Sequence, residues 1–174
     1  QGEGYNAGKA AVFCRFSGCN LWNGQEKDRL KSICSFCDTD FLGTNGVLGG
    51  QYTLENLVDK ITKLWPNLKK NKFVVFTGGE PLLQLDKSLI NTLKANKFKI
   101  AVETNGTILP PLGIDWVCVS PKVKSNFIVK KANEIKVIYP QEKLDPKIYE
   151  RLNFDHFYIQ PLYDKNLIKN NKKA

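Results

Sequence analysis

The sequence predicts an α/β fold, a partial (β/α) barrel of about six mainly parallel strands with a reduced number of helices. Three observations support this fold class. Short apolar runs alternate with segments of helical periodicity, polar or glycine residues follow five of the six runs, and the interval from Gly106 to Glu134 has little helical periodicity. Alternating strands and helices favour a parallel sheet with right-handed crossovers. The interval without helical periodicity predicts that one crossover is reduced to a loop.

The first predicted strand runs from about Ala11 to Phe16 and has two different faces. Its alternation places one set of side chains on one face and a second set on the other: Val12, Cys14 and Phe16, then Phe13, Arg15 and Ser17. We expect Cys14 to be a small core residue. We expect Arg15 to meet an anion, because an unpaired charge on a buried strand face is costly.

Five further apolar runs are predicted strands. They are FVVFTG from Phe73, FKIAVETNG from Phe98, WVCVS from Trp116, NEIKVIY from Asn133 and FYIQPL from Phe157.

Three segments are predicted helices. TLENLVDKITKLW has apolar residues at helical spacing, with Thr53 as its N-cap and Pro66 ending it. PLLQLDKSLINTLKAN starts with Pro81 in the first turn and places a stripe of leucines on one face. A short helix is expected around Pro146 to Leu152. The first ten residues and the stretch from Gly43 to Gly50 are glycine-rich and predict loops.

Length and composition restrict the class of protein. At 174 residues we expect one domain over 1–174, and because the sequence contains no methionine we expect a short segment to be lacking at the N-terminus. The longest apolar runs fall short of a bilayer span, so we expect no membrane protein. The net charge of +9 arises from scattered lysines, so we do not expect a nucleic-acid surface. An odd number of cysteines, with three of the five clustered, favours reduced thiols and a cytoplasmic protein.

Three of the five cysteines lie in one loop. Fourteen residues separate Cys19 from Cys34, and two separate Cys34 from Cys37. Thiolates bind zinc, copper and iron–sulfur clusters, so residue type alone does not select the metal. A structural zinc site would need a fourth ligand, for which His156 and Asp40 are the candidates. An iron–sulfur cluster with one open corner is the other interpretation.

The polar ends of the strands predict a shared ligand site. They read Arg15–Ser17, Thr77–Glu80, Glu103–Asn105, Ser120–Lys122 and Gln160–Pro161. Ligands of parallel α/β folds bind beyond the carboxyl ends of the strands. Gly78 and Gly79 would let backbone amides approach a ligand, and Glu80 could accept hydrogen bonds from a ligand ammonium. A Gly-Gly pair alone is usually an ordinary turn.

Together these motifs resemble a radical S-adenosylmethionine (SAM) enzyme, and within that superfamily the 7-carboxy-7-deazaguanine synthase family of queuosine and deazapurine biosynthesis. The resemblance covers nearly the whole chain in order. The motifs that carry it are Gln1–Gly4, Arg15–Trp22, Cys34–Phe41, Thr77–Pro81, Glu103–Gly106, Ser120–Lys122 and Gln160–Leu162. The expanded cysteine spacing followed by Asp-Thr-Asp-Phe is the most specific of them.

The resemblance implies a radical lyase. Cys19, Cys34 and Cys37 would ligate three irons of a [4Fe–4S] cluster, and the fourth iron would chelate SAM. One-electron reduction cleaves SAM to a 5′-deoxyadenosyl radical. In the family this radical takes hydrogen from C6 of 6-carboxy-5,6,7,8-tetrahydropterin, the ring contracts, ammonia is lost and 7-carboxy-7-deazaguanine forms. The chemistry belongs to the cofactor, and the family assigns no catalytic side chain beyond the cluster and SAM.

The resemblance also implies binding roles for individual residues. Those matching SAM-contacting positions are Phe36, Asp38, Gly78, Gly79, Glu80, Ser120, Pro121, Lys122, Gln160, Pro161, Leu162 and Tyr163. Thr39 matches a residue that offers its hydroxyl to Mg²⁺, which prefers oxygen ligands. Those matching substrate-binding positions are Gln1, Gly2, Glu3, Arg15 and Thr77. The family further implies a flavodoxin- or ferredoxin-like electron donor and a homodimer. Its members continue beyond the end of this sequence, so the resemblance implies that short segments are lacking at both ends.

The sequence alone is also compatible with simpler roles for some of these residues and with other functions. Glu3 could be a solvated loop carboxylate, Thr39 a turn hydroxyl capping an amide, and Glu103 either a substrate contact or a brace for its turn. A radical SAM enzyme with another substrate, such as a glycyl-radical-activating enzyme, is a second hypothesis. A zinc-stabilised RNA-binding module is a third.

Overall fold

The computed structural model describes residues 4–66 and 70–174. The predicted substrate residues Gln1, Gly2 and Glu3 lie outside the described residues. Within them, six strands form one fully parallel sheet, whose order follows the chain from β1 to β6. The strands are β1 Val12–Phe16, β2 Phe73–Gly78, β3 Lys99–Thr104, β4 Trp116–Val119, β5 Lys131–Tyr139 and β6 Asn153–Pro161. This confirms the predicted partial barrel with few helices.

Three helices accompany the sheet: α1 Leu54–Leu64, α2 Lys87–Ala95 and α3 Leu167–Asn171. Thr53 caps α1 as predicted, because its side chain accepts a hydrogen bond from the amide of Asn56. Short 3₁₀ segments cover Glu26–Lys31, Pro81–Leu83 and Pro146–Tyr149. In the described residues 105–130, which connect β3 to β4 and β4 to β5, no helix forms. The predicted reduction of a crossover to a loop is therefore confirmed.

The predicted helix from Pro81 onward is wrong as one continuous helix. It divides into the 3₁₀ turn Pro81–Leu83 and α2, with Gln84–Asp86 between them. The side chain of Asp86 accepts a hydrogen bond from the amide of Leu89 and so starts a new helix. Other boundaries also differ, since β5 and β6 begin earlier than predicted and α3 forms near the end of the sequence, where no helix was predicted.

The hydrophobic core lies between α1, α2 and the outer face of β1 to β3. Val74, Phe76 and Ile100 are fully buried there. Cys14 packs against this cluster, which confirms its prediction as a core residue, and burial raises the pKa of its thiol to about 11. A smaller cluster, centred on Ile135 and Val137, covers the outer face of β5.

The inner face of the sheet is open to cavities. Phe13 on that face is 50% exposed, and Arg15 is also exposed. The expectation that Arg15 sits on a buried face is therefore wrong. The reason is that the parallel sheet curves around a space and carries its helices on the outer face. Among the helices of the described residues, none has the length and apolar character needed to cross a membrane.

The different burial of two leucines predicts that their replacement will cost different amounts of stability. Leu93 on α2 is 0% exposed, whereas Leu83 is 49% exposed. We expect Leu93→Ala to lower the free energy of unfolding by about 3 kcal/mol, because the buried site cannot collapse fully around the lost atoms. Leu83→Ala is the matched control and should cost well under about 1 kcal/mol. Urea unfolding of both variants measures the difference, and equal losses would contradict the assignment of the core.

Candidate functional site

A cavity of about 550 Å³ lies at the carboxyl edge of the sheet, and we call it the upper cavity. The parallel register creates it, because each strand delivers its last residues to the same edge. The cysteine loop closes one side. The predicted site residues that line it are Arg15, Cys19, Cys34, Phe36, Cys37, Asp38, Thr39, Thr77, Gly78, Gly79, Ser120, Lys122, Gln160, Pro161, Leu162 and Tyr163. Two predicted residues, Glu80 and Pro121, are buried outside the lining.

The three loop cysteines are free thiols that face this cavity together. The amide of Leu21 donates a hydrogen bond to the sulfur of Cys19 at 3.4 Å. A hydrogen bond between Cys34 and Cys37 lowers the pKa of Cys37 to about 6 and raises the pKa of Cys34. Burial lowers the pKa of nearby Lys122, while the surrounding thiols act against that decrease. Cys37 and Lys122 thus share the cavity wall.

The donor set fits an iron–sulfur cluster better than a single ion. Among residues 4–66 and 70–174, no three His, Cys, Asp or Glu side chains converge on one ion-sized point. The candidate zinc ligand His156 lies elsewhere, stacked on Tyr5 and Trp116. Asp40 lines the cavity but is exposed. Three thiols spread around a wide cavity suit a cluster, because each sulfur then binds a different iron.

The Gly78–Gly79 turn makes the closest backbone approach in the site. A Cβ added at Gly78 would lie 2.1 Å from the carbonyl oxygen of Phe16, and one at Gly79 would lie 2.0 Å from that of Gly18. The φ of Gly78 is +133°, which side chains disfavour. The amide of Gly79 donates to Phe16 at 3.2 Å. Because Gly78 and Gly79 have no side chains, the neighbouring backbone can approach them closely. Both glycines also line the cavity.

Glu80 braces the turn from within the protein. It is 0% exposed, and its carboxylate accepts hydrogen bonds from the amides of Leu82 and Asn105 and from the hydroxyl of Thr104. Burial nevertheless raises the pKa of Glu80. Because these donors occupy both oxygens, the predicted contact of Glu80 with a ligand ammonium gains no support from its placement.

A second brace joins the cysteine loop to β3. The side-chain amide of Asn105 donates to Asn20 at 2.9 Å, and Asn20 donates to Thr107 at 2.8 Å. Asn20 and Asn105 belong to motifs that carry the family resemblance, but no role was predicted for either residue. Polar residues at two loop positions carry no signal of such long-range pairing.

Arg29 organises the cysteine loop and was missed from the sequence. Its guanidinium donates to the carbonyl oxygens of Ser35, at 3.1 Å, and Cys37, at 2.8 Å. It also pairs with Glu26 and lies 4.1 Å from the ring centre of Trp22. The planar fork of arginine suits several acceptors and an aromatic face at once. The long insertion between Cys19 and Cys34 thus supplies the side chain that holds the end of the loop.

An ion pair lies deep on the inner face. Lys136 on β5 is 3.4 Å from Glu103 on β3, and both line the upper cavity. Burial acts to lower the pKa of Lys136, but Cys118, Glu103 and Glu134 outweigh it and leave that pKa raised. With Arg15 at the rim, this pair adds to the polar groups that the cavity presents to a heterocycle. The role of Glu103 stays open from the sequence, and Lys136 was not predicted as a site residue.

Comparison with known proteins agrees with this geometry. Residues 30–136 match the model of the radical SAM superfamily. A 7-carboxy-7-deazaguanine synthase of Bradyrhizobium diazoefficiens is 50% identical over 100% of this chain and 83% of its own length. That of Caulobacter vibrioides is 53% identical over 93% of this chain and 78% of its own length. A crystal structure of QueE from Escherichia coli superposes with a TM-score of 0.68 at 25% identity, covering 99% of this chain and 84% of that one.

The contacts of Arg29 generate a prediction about metal loading. We expect Arg29→Ala to lose about tenfold in metal affinity, because outer contacts that orient ligands contribute that much. Arg29→Lys should recover part of the loss, since lysine keeps the charge without the fork. Iron content and cluster absorbance after anaerobic reconstitution measure it. Lys31→Ala, an exposed change in the same segment, is the control, and full iron content in Arg29→Ala would contradict the role.

Proposed function

This chain belongs to the radical SAM superfamily and, within it, to the 7-carboxy-7-deazaguanine synthase family, and from that premise we propose which of its residues perform the reaction. It is an enzyme with the ring-contracting lyase function of that family and a place in queuosine biosynthesis. The substrate is 6-carboxy-5,6,7,8-tetrahydropterin and the product is 7-carboxy-7-deazaguanine. The convergence of three free cysteines and Arg15 on one cavity is the observation that carries the assignment.

The cysteine loop would hold the cluster and the strand ends would hold SAM. Cys19, Cys34 and Cys37 would ligate three irons. The cavity-lining residues proposed to contact SAM are Phe36, Asp38, Gly78, Gly79, Ser120, Lys122, Gln160, Pro161, Leu162 and Tyr163. Glu80 would act indirectly by fixing the glycine turn. When bound, the cluster and SAM supply hydrogen-atom abstraction from carbon.

The inner face would hold the pterin. The exposed guanidinium of Arg15 suits the substrate carboxylate, since a planar fork binds a carboxylate through two parallel hydrogen bonds. Thr77 lines the same wall. The Glu103–Lys136 pair offers a hydrogen-bond acceptor and a hydrogen-bond donor to the polar edge of the pterin ring. Gln1, Gly2 and Glu3 stay proposed as substrate contacts through the family match alone.

Thr39 is proposed to bind Mg²⁺. Its side chain lines the upper cavity between two exposed carboxylates, Asp38 and Asp40. Oxygen ligands of this kind, completed by substrate oxygens and water, suit a small hard cation.

Partners and setting are proposed more broadly. A flavodoxin- or ferredoxin-like protein would deliver the electron that the cluster requires. A homodimer is proposed from the family resemblance, and one domain over 1–174 is supported by the single continuous sheet. The five free thiols support a cytoplasmic setting.

Anaerobic turnover tests the function. Reconstituted protein with SAM, a chemical reductant, Mg²⁺ and carboxytetrahydropterin should yield the deazapurine and ammonia, detected by mass spectrometry and an ammonia assay. Omitting Mg²⁺ should lower the rate because the ion would orient the substrate. A protein with a full cluster that cleaves SAM but leaves the pterin unchanged would refute the substrate assignment.

Arg15 provides a sharper test of substrate binding. Arg15→Ala should raise the KM for the pterin by about 10- to 100-fold, because a charge-assisted hydrogen bond contributes about 1.5–3 kcal/mol. Arg15→Lys should fall between this variant and the native enzyme, since lysine keeps the charge but offers a single point contact. Arg151→Ala, at an exposed turn, serves as the matched control. An unchanged KM in Arg15→Ala would remove the proposed contact.

A further inference from the structure

A second cavity, of about 420 Å³, lies at the amino-terminal end of the inner face, and we call it the lower cavity. Part of its wall is the segment from Gly4 to Ala11, which precedes β1. It shares Glu103, Cys118 and Lys136 with the upper cavity. The two cavities are therefore neighbouring parts of one inner space, and the segment before β1 closes its lower end.

Three nearly parallel rings meet beside the lower cavity. The ring of Tyr5 is 4.7 Å from Trp116 at 15° and 4.2 Å from His156 at 28°. Trp116 and His156 are themselves 5.7 Å apart at 25°. Trp116 begins β4 and His156 lies on β6, so Tyr5 contacts strands on both sides of β5. Lys9 adds a cation 4.9 Å from the Tyr5 ring centre.

A buried carboxylate lies next to these rings. Glu134 on β5 is 3% exposed and pairs in register with His156. It accepts a hydrogen bond from the indole nitrogen of Trp116 at 3.0 Å. A Cβ added at Gly4 would lie 2.1 Å from a carboxylate oxygen of Glu134, so only glycine fits there without a shift. The backbone at Gly4 therefore lies directly against the Glu134 side chain of β5.

The segment crosses the open side of the sheet. Gly4 and Tyr5 contact the β4–β6 side, whereas Val12 begins β1 at the other edge of the sheet order. Two short turns, in which the amides of Ala7 and Lys9 donate to the carbonyl oxygens of Gly4 and Asn6, make it compact. We call the segment 4–11 the strap. Its first end is attached through the contacts at Gly4 and Tyr5, and its second end continues into β1.

We propose that four side chains act as positioning residues for substrate binding, and we call them the N-terminal anchor: Tyr5, Trp116, Glu134 and His156. The anchor fixes the segment 4–11, which lines the lower cavity together with Glu103 and Lys136. The inference rests on the proposed function, because that function places the pterin against the Glu103–Lys136 pair. It adds residues at the opposite end of the barrel from the cluster that set affinity for the pterin without touching it.

Replacing the central ring tests the anchor. Tyr5→Ala should raise the KM for the pterin by about tenfold or more, because two aromatic pairs are lost. Tyr5→Phe should stay within about threefold of the native enzyme, because the ring stacking is kept. Hydrogen exchange of the peptide spanning 4–11 should be faster in Tyr5→Ala and native-like in Tyr5→Phe. Iron content and the spectrum of the reduced, SAM-bound cluster should be unchanged in both.

A matched pair on β6 separates anchoring from general loss of stability. His156→Ala should raise the KM as Tyr5→Ala does, whereas Phe157→Ala, the next residue and 38% exposed, should leave it unchanged. A native KM in both Tyr5→Ala and His156→Ala, with normal turnover by the native enzyme, would overturn the anchor alone. Failure of the native enzyme to convert the pterin would instead overturn the proposed function. Loss of iron in Tyr5→Ala would also contradict the proposal, because it would indicate a role in overall folding.

Discussion

The close approach of two backbones at the rim of β1 and β2 is the constraint on which the rest of the site depends. Gly78 and Gly79 bring their turn against the carbonyl oxygens of Phe16 and Gly18, a distance that any Cβ would prevent. Cys19 follows directly after Gly18, so the turn that would face SAM and the first cluster ligand are held by the same contact. Glu80 links the glycine turn to the neighbouring strand, because its buried carboxylate accepts hydrogen bonds from groups at the end of β3.

Order in the cysteine loop comes from contacts outside its sulfur atoms. Asn105 holds the beginning of the loop through Asn20, while Arg29 holds its end through the carbonyl oxygens of Ser35 and Cys37. Each of these side chains carries several hydrogen-bond donors, so few residues determine the path of a long loop. Hydrogen bonds from these side chains thus bring the thiols to one cavity wall, and the fourth corner of a cluster would be left to a ligand.

The sequence was most informative where local patterns and tertiary structure agree. Apolar runs bounded by glycine and polar residues identified all six strands, and parallel pairing then explains why their ends share a rim. The prediction of one helix from Pro81 was wrong because the leucine stripe continues across a break in the helix. Asp86 creates that break by capping a new helix. Arg29 and Glu134 were missed for another reason. Their partners are two backbone carbonyls, a glycine and an indole, which are distant in sequence or carry no pattern, so only the folded chain reveals them.

The two ends of the inner space differ in how they are held. At the carboxyl edge, backbone hydrogen bonds and buried carboxylate contacts restrain the turn and the loop, which suits a cofactor whose irons need fixed ligand positions. At the amino edge, a half-exposed tyrosine stacked on two rings restrains the strap, and such contacts are weaker and less directional. A substrate must enter and a product must leave on every turnover, whereas the cluster stays. The stronger attachment therefore fixes the wall that would carry the cluster, and the weaker one fixes the segment at the other end of the inner space.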